Sequence, residues 1–171
     1  TELIYEVDEW NTSGESLVWV SVPSLSPSSK IIAYWGNDAN ISVPSYRTDG
    51  SLWSGFDGVW HLEDTNDSSA NSRTATGNGG ISAGVSSLVG KGSSLDGVDD
   101  DFSVNGYNGI TGGNARTISL WVKSSQTSGG FMGWGTSGDF WNFGWNPTGP
   151  QVQIGGGAVE QGLFNLSDDQ W

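Results

Sequence analysis

The residues best suited to bind a ligand lie between positions 131 and 145. In the run FWNFGW at residues 140–145, strand alternation separates an apolar face from a more polar one. The apolar face carries Trp141, Phe143 and Trp145, and the opposite face carries Phe140, Asn142 and Gly144. We expect the larger apolar face to pack into a core.

The next run of the sequence extends the polar face. Gln151 and Gln153 alternate with apolar residues, so their amides are expected beside Asn142 on the exposed side of the sheet. Amides donate and accept hydrogen bonds, and a neighbouring ring, Trp134 or Phe140, offers a surface on which a sugar can stack. The pattern predicts a sugar-binding face, and an ordinary polar sheet face has the same pattern.

Two further aromatic residues, Trp53 and Phe56, lie in a connector rich in Gly and Ser. Packing into a core explains an aromatic ring less readily in such a connector than in a strand. The rings either pack between two parts of the chain or contact a ligand, and the sequence leaves both alternatives open. Trp53 is therefore a further candidate ligand-binding residue.

Two acidic loops offer oxygen ligands of the kind that calcium prefers. Asp64, Asn66 and Asp67 belong to the first loop, and Asp99 begins a run of adjacent aspartates at residues 99–101. Such carboxylates repel one another unless a cation or solvent screens them. The first loop lacks the glycine and glutamate of an EF-hand. We expect either calcium at these four residues or a solvated acidic surface, and no other cofactor.

Enzyme activity is not expected. Glu6 and Asp8 share one face of a strand, but Glu9 points to the other face, so the close carboxylate pair of a laminarinase-type glycoside hydrolase is missing. His61 is the only histidine in the sequence, and no nucleophile motif such as Gly-x-Ser-x-Gly accompanies it. The imidazole is expected to be structural.

The composition restricts the class of protein and its partners. Twenty-seven Gly and ten Trp among 171 residues favour short strands joined by tight turns. The formal charge of −13 repels phosphate backbones, so nucleic acid and anionic membranes are not expected partners. The lack of Cys excludes disulfides, and no apolar run is long enough to span a membrane. Any signal peptide is expected to lie outside this sequence.

Short hydrophobic runs between turn signals predict an all-β fold, an antiparallel β-sandwich. The predicted strands are residues 3–10, 17–22, 30–35, 59–62, 93–95, 102–104, 117–123, 130–134, 140–145 and 151–154. A connector rich in Gly, Asn and Ser follows the first three and sets a domain boundary near residue 50. The later strands, with their Gly-rich turns, are typical of a sandwich or jelly roll.

Three motifs of the second part resemble the opening half of a concanavalin A-like, laminin-G-like jelly-roll domain. They are GVWHLEDTNDSSAN from residue 58, SLDGVDDDF from residue 94 and TISLWVKS from residue 117. The last residues, DDQW, are similar to the segment that leads into the next strand of that family, so we expect residues 51–171 to be a truncated domain. The family often holds calcium near loops of this kind.

Residues 1–50 resemble part of a bacterial domain of unknown function that often precedes such a module. The resemblance is carried by YEVDEWNTSG from residue 5, SLVWVSVPSL from residue 16 and KIIAYWGN from residue 30. Together the two resemblances imply a piece of a large exported bacterial or archaeal protein, and sugar binding or adhesion as its class of function.

The function expected from the sequence is non-catalytic polysaccharide recognition by a secreted or cell-surface protein. The alternative is a structural or adhesive spacer that binds protein partners, and a glycoside hydrolase is the third possibility. Open edge strands are also expected to favour self-association.

Overall fold

The computed structural model describes residues 1–36, 42–136, 139–155, 158–162, 169 and 171. The helical elements among these residues are two single turns of 3-10 helix, at Ser45–Arg47 and Ser51–Trp53. The remaining regular structure is antiparallel β, which confirms the predicted all-β class. Contacts divide the chain into two compact units, Thr1–Asn105 and Gly106–Trp171. The boundary predicted near residue 50 lies inside the first unit, and the division at that point stays a prediction.

The first unit contains three two-stranded sheets within its described residues. Strand β1 (Tyr5–Glu9) pairs with β2 (Leu17–Val20), as the sequence predicts. The turn between them is fixed by Asn11, whose side-chain oxygen accepts the backbone N–H of Ser13 at 3.0 Å. The other strands are β3 (Thr76–Asn78), β4 (Ser82–Ser86), β5 (Lys91–Ser94) and β6 (Asp101–Ser103). β3 pairs with β6, and β4 pairs with β5.

The second unit contains a four-stranded meander. Its strands are β7 (Gly129–Thr136), β8 (Asp139–Asn146), β9 (Gly149–Ile154) and β10 (Ala158–Gln161), in the order β10-β9-β8-β7. The tight turn between β8 and β9 is closed by the Asn146 side chain, which accepts the Thr148 backbone N–H at 2.9 Å. The predicted strands at residues 130–134, 140–145 and 151–154 are confirmed.

Two of the predicted strands are not paired into a sheet. Residues 30–35 and residues 117–123 pair with no strand in the described part of the chain. Their large side chains lie in solvent, since Trp35 is 76% exposed and Trp121 is 65% exposed. The residue types favour a strand, but no neighbour supplies the ladder of hydrogen bonds.

The strand predicted at residues 59–62 is also wrong, because the chain bends there. Leu62 has a φ of 64°, which no regular strand allows. The Trp60 indole donates a hydrogen bond to the Arg73 carbonyl oxygen at 2.9 Å. This segment is therefore part of a folded loop that ends near Arg73.

Burial is shallow in both units. Among the described hydrophobic side chains, Ala75 and Trp145 are the buried ones, at 6% and 8% exposure. The sheets are small and open, so the strands establish the all-β class, and the sandwich or jelly roll stays a prediction. No helix in the described ranges is long and apolar enough to cross a membrane.

Candidate functional site

One face of the four-stranded sheet brings together the amides that the sequence selects. Asn142 on β8 lies directly opposite Gln153 on β9, and the position two residues further along β8 lies opposite Gln151. Directly opposite residues share a face of an antiparallel sheet. Phe140 lies on the same face, two residues before Asn142. We call the set Phe140, Asn142, Gln151 and Gln153 the amide face.

Strand β7 leaves a gap beside the amide face because its residues there are glycines. Gly133 lies opposite Asn142, and Gly135 lies opposite Phe140. Both glycines are exposed, and β7 is an edge of the described sheet. A Cβ at Gly133 would lie 3.1 Å from the Trp141 carbonyl oxygen and 3.4 Å from Asn142 Oδ1. A side chain at position 133 would therefore crowd the Trp141 carbonyl and the Asn142 amide, and glycine leaves the amide uncovered on that side.

Hydrogen bonding within the amide face is incomplete. The Asn146 side chain donates to Gln151 Oε1 at 3.0 Å. No hydrogen bond joins the side chain of Asn142 or Gln153 to another described residue, and both side chains are half-buried. Buried polar groups in native proteins almost always have a partner. These two amides are therefore available to water or to a ligand.

The opposite face of the sheet carries the stacked indoles and is partly packed, since Trp134 and Trp141 are half-buried and Ile154 is exposed. Trp134 lies opposite Trp141, and their rings stack with centroids 5.5 Å apart and planes at 9°. Gly109 contacts Trp134 so closely that a Cβ there would lie 2.3 Å from the indole. Of the two rings considered for the sugar site, Phe140 thus shares a face with the amides and Trp134 does not.

Sequence reasoning missed Arg116. Its guanidinium lies over both stacked indoles, 5.8 Å from the Trp134 centroid and 5.0 Å from the Trp141 centroid. It also donates hydrogen bonds to the carbonyl oxygens of Gly112 and Asn114. A lone Arg in a Gly- and Asn-rich stretch has no periodicity that reveals such a contact, although an excess of Trp is a general hint of cation–π pairs.

Trp53 belongs to an aromatic cluster in the first unit. Its indole N–H donates to the Glu6 carboxylate at 2.5 Å. Its ring lies 5.5 Å from Trp19, 5.4 Å from Phe56 and 5.6 Å from His61, measured between centroids. These are the contacts of a packing residue within this unit.

A cavity of about 200 Å³ in the first unit is lined by acidic and polar groups. Its lining side chains come from β1 and residues 61–68, and they include Glu6, Asp8, His61, Glu63, Asp64, Asn66 and Ser68. Asp8 accepts the Trp19 indole N–H at 2.9 Å, and Ser68 donates to Glu6 at 2.7 Å. His61 Nε2 lies 3.6 Å from Glu6 Oε2, and its ring stacks on Trp19. Indole N–H groups thus hold the two β1 carboxylates in place.

The four predicted calcium ligands are distributed over different places. Asp64 and Asn66 line the cavity, where the Asn66 backbone N–H donates to Asp64 at 2.8 Å. Asp99 lies in a separate acidic group with Asp96 and Asp100, in which each residue offers a carboxylate oxygen within 4.8 Å of the others.

Asp100 has the most unusual environment in that acidic group. One of its oxygens accepts the Asp96 backbone N–H at 2.7 Å. The other, Oδ1, is buried and has no hydrogen-bond partner among the described residues. Asp100 belongs to the run of aspartates at residues 99–101 that the sequence singles out, whereas Asp96, three residues before Asp99 in the SLDGVDDDF motif, was missed.

Asp67, the fourth predicted ligand, is hydrogen-bonded to backbone N–H groups. Its oxygens accept the N–H groups of Val59, Ser69 and Arg73 at 2.9 to 3.0 Å. Burial alone would raise the pKa of Asp67, but these hydrogen bonds outweigh burial and hold the pKa below its ordinary value. Asp67 therefore organises the backbone of residues 59–73.

Comparisons of the chain with protein-family models, with curated proteins and with solved structures found no match. The resemblance to a concanavalin A-like domain therefore stays a prediction.

Proposed function

We propose that this chain is a non-catalytic carbohydrate-recognition module of a secreted or cell-surface protein, and that the amide face binds a polysaccharide. The observation that best supports this is the pairing of Asn142 with Gln153 beside the gap at Gly133. The two amides have no partner among the described residues, and glycine at position 133 leaves the Asn142 amide uncovered by a side chain from β7.

The chemistry of the amide face matches that of a sugar. A hydroxyl group both donates and accepts hydrogen bonds, and so does an amide, so Asn142 and Gln153 together can bond several hydroxyls of one ring. Phe140 supplies an apolar edge against which the C–H groups of the ring pack. Because β7 is an edge among the described strands, a long polymer can extend past the sheet, whereas small-molecule sites are usually enclosed.

The charge of the chain points to a neutral polysaccharide. With a formal charge of −13, the protein repels sulfated or uronic acid polymers at moderate ionic strength. The amide face itself carries no charged side chain. Binding is therefore expected to depend weakly on salt.

We also propose that β7–β10 form part of one layer of a concanavalin A-like jelly roll. The support for it is the division of this sheet into a packed aromatic face and a polar face. A sandwich layer has the same division between its inner and outer sides.

We also propose that calcium binds at Asp96, Asp99 and Asp100. A cation would neutralise three neighbouring carboxylates and supply the partner that Asp100 Oδ1 lacks. The role of calcium here is to fix the loop between β5 and β6. Asp64 and Asn66 in the cavity form the alternative site.

We propose no catalytic role for this chain. Glu6 and Asp8 line one cavity, but each accepts an indole N–H, from Trp53 and Trp19 respectively. Their role is to hold the aromatic cluster. Incubation with the bound polysaccharide is expected to release no reducing ends.

Affinity electrophoresis in gels that contain single neutral polysaccharides tests the proposal. At least one polymer is expected to retard the wild-type chain, and the double variant Asn142→Ala/Gln153→Ala is expected to lose the retardation. Gln126→Ala is the matched control, since it removes an exposed amide outside the sheet. Unchanged retardation of the double variant would refute the amide face as the site. Free migration in every gel would favour the structural spacer.

A further inference from the structure

Three asparagines of the chain are directly followed by glycine, and the structure holds them in different environments. They are Asn78, Asn105 and Asn108. An asparagine side chain can reach the neighbouring backbone, and a following glycine has no side chain to hinder that approach and few limits on its dihedral angles. Asparagine is therefore chemically labile at such pairs. The fold decides which of the three pairs is free to react.

Asn105 and Gly106 form an exposed turn. No hydrogen bond joins either residue to another described residue. Gly106 has a φ of 77°, and a Cβ added to it would meet nothing within 4 Å. The backbone N–H of Gly106 and the side chain of Asn105 are therefore free to approach each other.

Asn78 is held at the end of strand β3. It lies opposite Asp101 on β6, and its side-chain N–H groups donate to Asp101 Oδ2 at 3.0 Å and to Ser103 Oγ at 3.2 Å. The following Gly79 is packed, since a Cβ there would lie 2.7 Å from the Asp99 carbonyl oxygen. A reaction at Asn78 requires these contacts to open first, which is expected to slow it at least about tenfold.

Asn108 is exposed, but the glycine that follows it is packed. A Cβ at Gly109 would lie 2.3 Å from the Trp134 indole. That indole is itself held, because it stacks on Trp141 and faces the Arg116 guanidinium. Rotation of the Gly109 backbone towards the Asn108 side chain therefore disturbs the stacked indoles, a restraint that the Asn105 pair does not have.

We propose that Asn105 is a site of spontaneous deamidation. The Gly106 backbone nitrogen loses its proton and forms a bond to Asn105 Cγ, which closes an imide ring. The Cγ–Nδ2 bond breaks, and Nδ2 takes up a proton and leaves as ammonia. Water then opens the ring at either carbonyl and gives aspartate or isoaspartate. Each conversion adds one negative charge, so the formal charge changes from −13 to −14, and isoaspartate also adds one atom to the main chain.

Timed incubation in a mildly alkaline buffer, followed by tryptic digestion and fragment mass spectrometry, measures the rate at each asparagine. Cleavage after Lys91 places Asn78 and Asn105 in different peptides, and fragment ions separate Asn105 from Asn108. In the folded chain Asn105 is expected to convert at least about ten times faster than Asn78, and also faster than Asn108. In urea, where the protecting contacts are lost, the three rates are expected to become similar.

Matched variants connect the charge change to one residue. Asn105→Gln lengthens the side chain and keeps its amide, so the folded variant should form little of the acidic species that anion exchange separates. Asn108→Gln makes the same change three residues away and should form that species as fast as the wild-type chain. Equal rates at Asn105 and Asn108 in the folded chain would overturn the proposal. So would an Asn105 that converts in urea but not in the folded chain.

Discussion

Asn142 and Gln153 lie directly opposite each other on β8 and β9, on the sheet face that does not carry the stacked pair Trp134 and Trp141. In the proposed function the two faces have separate roles. The amides bind the polysaccharide, and the indoles stabilise the unit through contacts with Arg116 and Gly109. Variants on one face should change affinity, and variants on the other should change stability.

Filling the glycine gap is expected to block the polysaccharide. Gly133→Val places two methyl groups beside Asn142 and should weaken binding about tenfold, which corresponds to about 1.4 kcal/mol. Calorimetric titration measures the change. Gly113→Val is the control, because a Cβ at Gly113 meets nothing within 4 Å. Equal affinities of the two variants would show that the gap is not part of the site.

Removing an indole from the packed face is expected to lower stability and to leave affinity intact. Trp134→Ala loses the stack on Trp141 and the cation–π contact with Arg116. Because Trp134 is only half-buried, we expect a loss of about 2 kcal/mol, less than for a fully buried indole. Urea unfolding gives the stability, and titration of the folded variant gives the affinity. A variant of normal stability with lost affinity would place the ligand on this face.

Asp67 is expected to stabilise the first unit in a pH-dependent way. Since its pKa is lowered by folding, its contribution is complete above the unfolded value of about 3.9 and is lost as the pH falls through the folded value. Asp67→Asn should lower the free energy of unfolding by about 1–3 kcal/mol at pH 7, and the difference should shrink towards pH 2. Urea titrations at several pH values measure it. Asp64→Asn, at an exposed carboxylate, should change stability little at any pH, and an equal effect of both variants would contradict this role.

Calcium is expected to raise the thermal unfolding temperature through Asp96, Asp99 and Asp100. Asp100→Asn should abolish the increase, because it removes charge from the carboxylate whose Oδ1 lacks a partner. Differential scanning fluorimetry with calcium and with chelator measures the effect. An increase that persists in Asp100→Asn and is lost in Asp64→Asn would instead place the cation in the cavity of the first unit.

Local patterns predict those parts of the fold whose partners are near in sequence. The run from Phe140 to Ile154 alternates cleanly, and a tight turn at Asn146 brings its strands together, so both the strands and their faces follow from the sequence. Residues 30–35 have similar strand propensity but find no partner among the described residues. Pairing over long sequence separation depends on tertiary context, which residue types alone do not encode.

The arrangement of the site residues can likewise be predicted from the sequence only in part. Asn142 and Gln153 share a face because side chains alternate along a β-strand, so this arrangement could be predicted from the sequence. The backbone role of Asp67 depends on a loop that returns to Val59, and the position of Arg116 depends on irregular backbone before the sheet. Neither has a periodic signal, so both emerge only from the three-dimensional arrangement.

The most direct test compares two neighbouring residues on opposite faces of β9. Gln153→Ala removes an amide from the amide face, and Ile154→Ala truncates an exposed side chain opposite Trp141 on the other face. Isothermal titration with the polysaccharide that retards the wild-type chain should show at least a fivefold loss of affinity for Gln153→Ala and wild-type affinity for Ile154→Ala. Wild-type affinity of Gln153→Ala, with or without a loss in Ile154→Ala, would contradict carbohydrate recognition by the amide face.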